Sequence, residues 1–166
     1  METSATKTRS AALGLRAHSG WAVMVAVSGG SAVLRRRIEM TKGSGYRARQ
    51  PYHAAEEMQL QQAEAFLQRT EKTATEMAAA AVRDTVALLA SEGYRVLGAA
   101  VLLGSGRPLP ELGKILDAHP LIHTAEGVFF REVLKSACEG VRPGGGGHQG
   151  ARGAGTVRGS AAYPSR

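Results

Sequence analysis

The residues of this sequence that could do chemistry include a short histidine pattern near its C-terminal end. His119 and His123 are four positions apart, and Glu126 follows three positions later. Two histidines at this spacing can share one face of a helix and bind zinc there. Pro120 is a residue typical of a first helical turn, so we expect His119 to precede the helix and to lose that geometry. The pattern therefore predicts a capping His119 and an exposed His123 without a metal or other cofactor. The alternatives are a metal-free polar site built from His123 and Glu126, and metal binding.

A catalytic site would require titratable side chains from several parts of the chain to meet. A hydrolase or nuclease-like enzyme would use Arg16, His18, His53, His123 and Glu126. These side chains would have to converge within about 5 Å to transfer a proton. Two-metal nuclease chemistry also needs several carboxylates around the ions, but the remaining candidates, Glu56, Glu57, Asp117 and Glu126, are scattered acids of the kind that usually face solvent on helices. We therefore favour a protein that is not an enzyme, with a hydrolase as the alternative.

A basic segment with interleaved aromatic residues is the second candidate site. Positions 35–53 hold six basic side chains and one acid, Glu39. Basic groups neutralise phosphates and aromatic rings stack on bases, so this composition predicts contact with nucleic acid. The residues expected to make that contact are Arg35, Arg37, Lys42, Tyr46, Arg47, Arg49 and Tyr52. The alternative is an edge strand whose charges only prevent aggregation.

A glycine-rich segment between an apolar run and a helix is the third candidate. It consists of Gly104, Ser105, Gly106 and Arg107. In open α/β sheets ligands bind beyond the carboxyl ends of parallel strands, and unpaired backbone N–H groups at such a place can hold an anion. The segment lacks the Gly-Lys-Ser/Thr ending of a phosphate-binding loop, so a plain strand-to-helix turn is the alternative.

The first elements that must position these residues are three strands. Apolar runs at 11–16, 21–27 and 32–40 are separated by short turns with glycine, which predicts sequential antiparallel neighbours. The third run alternates, with Arg35 and Arg37 on one side and Ile38 and Met40 on the other, as in a half-exposed strand. We expect a loop over 41–53, which contains glycine and proline and has no periodicity.

The remaining elements are helices around a fourth strand. Residues 54–92 contain no glycine or proline and predict a long helix that bends or breaks at 70–75 and ends at Gly93. The continuous apolar run at 96–103 predicts a strand that is buried on both faces and parallel to its neighbour. A short helix is expected over 111–118. A second helix starts at Pro120 with an apolar stripe at Ile122, Ala125, Phe129, Val133 and Ala137.

The order of these elements resembles the ribonuclease-H-like fold, which implies an α/β sheet in the order 3-2-1-4 with the fifth strand missing. The segment GYRVLGAAVLLGSGRPLPELGKIL is similar to the central domain of class I release factors and ribosome-rescue proteins, which use this fold without nuclease chemistry. Nucleases and Holliday-junction resolvases form the other group. Resemblance to that group implies an Asp on the first strand, but residues 13–19 of this chain contain Arg16 and no acid. The run 14–21, with RQPYH and AEGVFFREVL, also resembles a bacterial family without assigned activity. The resemblance implies RNA or the ribosome as partner.

The charge of the chain divides it into three parts. Residues 11–140 hold 15 basic and 13 acidic side chains, whereas residues 141–166 hold four arginines and no acid, out of a net charge of +7. The sequence therefore predicts an N-terminal arm at 1–10, one domain at 11–140 and a disordered Gly/Arg-rich tail at 141–166. Since such a tail cannot bury a core, it is interpreted either as genuine or as the result of a frameshift or truncation.

Composition also indicates the cellular compartment and the partners of the protein. The single cysteine, Cys138, allows no internal disulfide, and no apolar run is long enough to cross a bilayer. We therefore expect a cytoplasmic protein without a membrane partner. If no fifth strand follows, the strand at 96–103 has an open edge, which predicts a homo-oligomer through that edge as a third, structural function.

Overall fold

The computed structural model describes residues 8–43, 45–104 and 108–141. Within these ranges the elements follow one another as β1 (Arg9–His18), β2 (Trp21–Ser28), β3 (Ser31–Glu39), α1 (Tyr46–Arg49), α2 (Pro51–Glu56), α3 (Leu60–Ser91), β4 (Tyr94–Val101), α4 (Leu112–Leu116) and α5 (His119–Cys138). None of the helices in these ranges is long and apolar enough to cross a membrane.

The four strands form one mixed sheet in the order β3-β2-β1-β4, which confirms the α/β class and the predicted strand order. β2 pairs antiparallel with both β1 and β3, as the short turns between them predict. The β1–β2 turn depends on Gly20, whose φ of 82° lies in the left-handed region that favours glycine. β4 pairs parallel with β1, as predicted, because α3 carries the chain back before β4 begins.

One face of the sheet is covered by α3 and α5, and the core lies there. Leu13 of β1 and Met24 of β2 are buried in one cluster with Leu89 of α3 and Phe130 of α5. Side chains alternate between the two faces of a strand, so every second residue of β1 and β2 points into this core. The apolar stripe predicted on the last helix is buried at each of its positions, which are Ile122, Ala125, Phe129, Val133 and Ala137.

β4 corrects one part of the prediction for the run at 96–103. The strand spans Tyr94–Val101 and lies at the edge of the sheet, with Leu97 39% exposed. Leu102 and Leu103 follow the strand and are 67% and 45% exposed. A strand buried on both faces was therefore wrong, because the helices cover only one side of the sheet and no described strand pairs with the outer edge of β4.

The segment between β3 and α3 also differs from the prediction. It contains two short helices, α1 and α2, where a loop over 41–53 was predicted. The break in the helical region lies at 57–59 rather than at 70–75, and it lets Ala55 of α2 pack in one cluster with Ala63 of α3. α3 continues without a break through 70–75, where the Thr70 hydroxyl donates to the Phe66 carbonyl oxygen at 2.9 Å, inside the same helix.

Several predictions concern residues outside the described ranges. Ser105, Gly106 and Arg107 of the predicted anion site fall there, as do positions 1–7 of the N-terminal arm and the tail from 142 onward. Gly104 is described, and it is exposed directly after Leu103.

The half-buried thiol of Cys138 lies near the end of α5 and packs against the core. Burial raises the pKa of the Cys138 thiol to about 11. Only the thiolate is nucleophilic, so native protein at pH 8 should react with iodoacetamide at least about 100-fold more slowly than the chain unfolded in urea. Mass spectrometry over a time course measures both rates. Equal rates would contradict this expectation, and the single cysteine makes the assignment unambiguous.

Candidate metal centre

Three histidines from two helices face one another beside the sheet. His53 of α2 and His119 and His123 of α5 each offer a ring nitrogen, and these nitrogens all lie within 4.8 Å of one another. The Nε2 atoms of His119 and His123 are 3.1 Å apart. The ring centroid of His53 is 5.3 Å from that of His119 and 4.7 Å from that of His123. The structure thus brings three imidazoles to one point.

The start of α5 explains how His119 joins this cluster. His119 is the first residue of the helix, and the Ala118 carbonyl oxygen already accepts from the backbone N–H of Leu121 and of Ile122, at 2.8 and 3.1 Å. Pro120 therefore lies in the first helical turn. A backbone N–H at that position has no acceptor within the helix, so proline, which lacks this N–H, is tolerated there. The prediction that Pro120 excludes His119 from the helix is wrong, and one helical turn places His119 and His123 on the same face.

A buried carboxylate joins α5 to α2 behind the histidines. Glu126 Oε1 accepts from the backbone N–H of Tyr52 at 2.7 Å and of His53 at 3.2 Å. These N–H groups belong to the first turn of α2, whose own N-cap residue, Gln50, makes no side-chain cap bond. Glu126 thus caps α2 from a different helix, since the first N–H groups of a helix need an external acceptor. This contact fixes the backbone that carries His53.

The same carboxylate also touches the His53 ring. His53 Nδ1 lies 3.3 Å from Glu126 Oε1, and both side chains are about 6% exposed. Desolvation by burial raises the pKa of Glu126, while the hydrogen bonds from His53 and Tyr52 act in the opposite direction. Glu126 Oε2 is buried without a hydrogen-bond partner among the described residues. A buried, unpartnered carboxylate oxygen would be stabilised by positive charge nearby.

The histidine cluster opens to solvent on one side. His53 is buried, whereas His119 and His123 are exposed. The Tyr46 ring, 60% exposed, packs edge-on at 6.0 Å from the His53 ring. A group bound by the three nitrogens would therefore be held from the protein side and reached from the solvent side.

Of the five catalytic candidates, the structure brings together His53, His123 and Glu126, and His119 joins them. His18 lies elsewhere, at the end of β1, where its ring stacks on Trp21 with centroids 4.1 Å apart. Arg16 points away from the helices on β1. Sequence reasoning noted the four-residue spacing of His119 and His123 but excluded His119 because of Pro120, and so it did not foresee that His53 would meet both of them.

The residues predicted to contact nucleic acid do not form one surface. Arg35 and Arg37 lie exposed on β3, Arg37 donating to Glu39 at 2.6 Å. Arg49 packs against the β1–β2 turn, and its Nε atom is buried. Others border a shallow cleft of about 300 Å³ lined by Met40, Thr41, Lys42, Arg47, Ala48, Phe66 and Thr70.

The two aromatic residues of that set, Tyr46 and Tyr52, also differ in their exposure to solvent. Tyr52 is half-buried, and its ring packs edge-on against Phe129 at 6.1 Å. Burial, with Glu71 and Glu126 nearby, raises the pKa of the Tyr52 hydroxyl. Tyr46 is the exposed ring, beside His53. Contact with RNA stays a prediction.

Comparison of the chain with protein-family models, with curated proteins and with solved structures gave no match in any of the three.

Proposed function

We propose that this chain is a zinc-dependent hydrolase whose metal is bound by His53, His119 and His123. The observation that supports this function is the convergence of three ring nitrogens within 4.8 Å on a solvent-exposed rim. Imidazole is a ligand that suits zinc, and tetrahedral zinc with Zn–N bonds of about 2.1 Å places its ligand nitrogens about 3.4 Å apart. The His119–His123 separation of 3.1 Å is close to that value.

A structural role alone does not explain the whole cluster. Capping of α2 by Glu126 accounts for the position of His53, because the carboxylate bonds its backbone. It does not account for His119 and His123, whose exposed side chains, within the described part of the chain, hydrogen-bond only to each other. Two imidazoles would repel each other if both were protonated, whereas a shared cation requires them to be close. The arrangement therefore favours metal binding.

Three protein ligands are typical of catalytic zinc sites, because they leave a fourth position for water. Zinc lowers the pKa of bound water to about 7 and so supplies a hydroxide nucleophile near neutral pH. The exposed rim formed by His119 and His123 gives a substrate access to that position. These features support hydrolysis rather than a closed structural site.

Glu126 acts as a positioning residue in this proposal. A His53 Nδ1–H that donates to Glu126 Oε1 leaves Nε2 of the same ring as the ligand atom. The carboxylate oxygen without a partner, Oε2, adds negative charge behind the ligands. Burial raises the pKa of Glu126. A bound zinc ion would act in the opposite direction, because its positive charge favours the ionised carboxylate.

We also propose that the fold is related to the ribonuclease-H-like fold. Its support is the strand order β3-β2-β1-β4 with an antiparallel meander and a parallel β1–β4 pair. A fold of this kind hosts many activities, so the argument for hydrolysis is drawn from the histidines and not from the topology.

Zinc titration of chelator-treated protein by calorimetry tests the proposal. We expect one zinc ion per chain, and zinc-loaded protein should hydrolyse p-nitrophenyl acetate or bis(p-nitrophenyl) phosphate while the metal-free protein does not. His18→Ala is the matched control, since His18 stacks on Trp21 and is not part of the cluster. Absence of saturable zinc binding would overturn the proposal. Zinc binding without hydrolysis of either ester would reduce it to a structural metal site.

A further inference from the structure

The sheet has a second face, turned away from α3 and α5, which we call the open face. Burial alternates along β1 and β2, so that Leu13 and Met24 enter the core while Gly14 and Val23 point to the other side. No described helix covers that side, because α3 and α5 share the cluster that contains Leu13 and Met24. An antiparallel sheet can leave one face in water, but such a face is then usually polar.

The middle of the open face is apolar and shallow. Gly14 of β1 is paired with Val25 of β2, and Ala12 is paired with Val27, which is 41% exposed. A Cβ added at Gly14 would meet nothing closer than the Val25 carbonyl oxygen at 4.0 Å. The small residues of β1 therefore form the floor of a groove that runs along the strand, with the valines of β2 as one wall.

β4 adds exposed leucines on the other side of this groove. Gly14 is paired with Ala100 on the β4 side, and the backbone N–H of Leu102 continues the ladder by donating to the Leu15 carbonyl oxygen at 3.0 Å. Leu102 is 67% exposed and Leu97 is 39% exposed. Contiguous exposed apolar side chains, especially inside a polar rim, are typical of surfaces that bind a partner.

Arginines surround the apolar centre. Arg16 of β1 and Arg37 of β3 lie directly across from Val23, on its two sides, and Arg35 of β3 lies directly across from Val25. Across the four strands the one acid is Glu39, and Arg37 already binds it at 2.6 Å. Arg16 and Arg35 form no hydrogen bond or ion pair with any residue in the described ranges. The rim is therefore positively charged and uncompensated.

Trp21, the aromatic residue of the open face, is half-buried and already contacts two neighbouring side chains through its ring. Trp21 lies between the neighbouring strands, where the His18 ring stacks on it at 4.1 Å and the Arg37 guanidinium lies 3.8 Å from its centroid. Single-stranded nucleic acid is bound through aromatic faces on which bases stack. The open face thus combines cations with an apolar groove and offers no such stacking platform.

We propose that the open face binds an amphipathic helix of a partner protein, with apolar residues in the groove and carboxylates on the rim. The charges of the chain favour this occupant over two others. The chain's own tail carries arginines and no acid after residue 141, so the rim would repel it. α3 of a second copy carries three basic side chains as well as four acidic ones, so its charge is a poor complement to the arginines. This interaction surface is independent of the proposed hydrolase function, because the histidines lie on α2 and α5.

A designed peptide provides the test. The probe is a fluorescein-labelled helix of about five turns, with leucine along one face and glutamate elsewhere, and fluorescence anisotropy measures its binding to the full chain. A peptide with lysine in place of glutamate and an oligouridylate serve as comparison probes. We expect the glutamate peptide to bind at least about 10-fold more tightly than the lysine peptide, with an affinity that falls as salt rises.

Matched variants locate the binding. Arg16→Glu combined with Arg35→Glu should weaken the glutamate peptide by at least about 10-fold. Arg69→Glu combined with Arg83→Glu makes the same charge change at exposed positions of α3, and it should alter the affinity by less than about 2-fold. Leu102→Ser removes an exposed apolar side chain that the core does not need, so it tests the groove without unfolding the sheet. It should weaken the peptide by about 3-fold or more.

Three outcomes would overturn the proposal. One is equal binding of the glutamate and lysine peptides, which includes no binding of either. Another is that Arg69→Glu combined with Arg83→Glu weakens binding of the glutamate peptide as much as Arg16→Glu combined with Arg35→Glu does. The third is binding of oligouridylate alone, lost when Arg16 and Arg35 are reversed, which would assign the open face to nucleic acid instead.

Discussion

Replacing His123 with alanine should weaken zinc binding by more than about 100-fold. A residue that only orients a zinc ligand contributes 10- to 100-fold to affinity in typical sites, so loss of a ligand itself should exceed that range. His123 is exposed and its ring nitrogen lies 3.1 Å from that of His119, so the substitution leaves no cavity in the core. Calorimetry on chelator-treated protein gives the affinity, and circular dichroism gives the fold.

The other histidines set the controls for this experiment. His119→Ala should have a similar effect on zinc, since His119 occupies the matching position one turn earlier on α5. His18→Ala should leave the affinity unchanged, because its ring stacks on Trp21. A zinc affinity that survives His123→Ala, or that falls equally in His18→Ala, would mean that the cluster does not bind the metal.

Replacing Glu126 with alanine should lower the free energy of unfolding by about 3 kcal/mol, even when no metal is bound. The substitution removes the acceptor of two backbone N–H groups, those of Tyr52 and His53, in the first turn of α2. Loss of a cap costs about 1 kcal/mol, and each buried N–H without a partner costs about 1–3 kcal/mol. Urea denaturation in the presence of a chelator measures the difference without any contribution from zinc.

Glu126→Gln separates the hydrogen bonds from the charge. The glutamine amide keeps an oxygen that can accept from both N–H groups, and it removes a carboxyl group whose pKa is raised by burial. Its amide nitrogen takes the buried position of Oε2, which has no hydrogen-bond partner among the described residues, so we expect a loss of about 1–2 kcal/mol, smaller than that of Glu126→Ala. If alanine and glutamine destabilised the protein equally, the cap assigned to Glu126 would be wrong.

The local pattern of the sequence predicted the sheet well. Strands, turns and the apolar stripe of α5 depend on alternation, glycine positions and helical spacing, all of which are visible within about ten residues. The alternation of Arg35 and Arg37 against Ile38 and Met40 correctly separated the two faces of β3. The parallel β1–β4 pair followed from the helical segment between them.

The candidate site was less predictable because it depends on contacts between distant residues. α2 was missed because its first turn is capped by Glu126, which lies 74 residues after Tyr52 in the chain. The predicted order 3-2-1-4 placed β4 correctly at the edge of the sheet. The exposure of one of its faces was missed, because an apolar run has the same composition whether helices cover both faces of its strand or only one. His119 was excluded because Pro120 was expected to be the first residue of the helix. The helix begins one residue earlier, at His119, and Pro120 still lies in its first turn.

The packing of Trp21 between His18 and Arg37 has a spectroscopic consequence. Trp21 is the single tryptophan of the sequence, so all indole emission arises from one known place at the turn end of the open face. An imidazole on one side of the indole and a guanidinium at its ring make that emission sensitive to whatever displaces either group. The native protein therefore carries its own fluorophore for the sheet surface, while the histidine cluster on α2 and α5 can be followed separately by calorimetry.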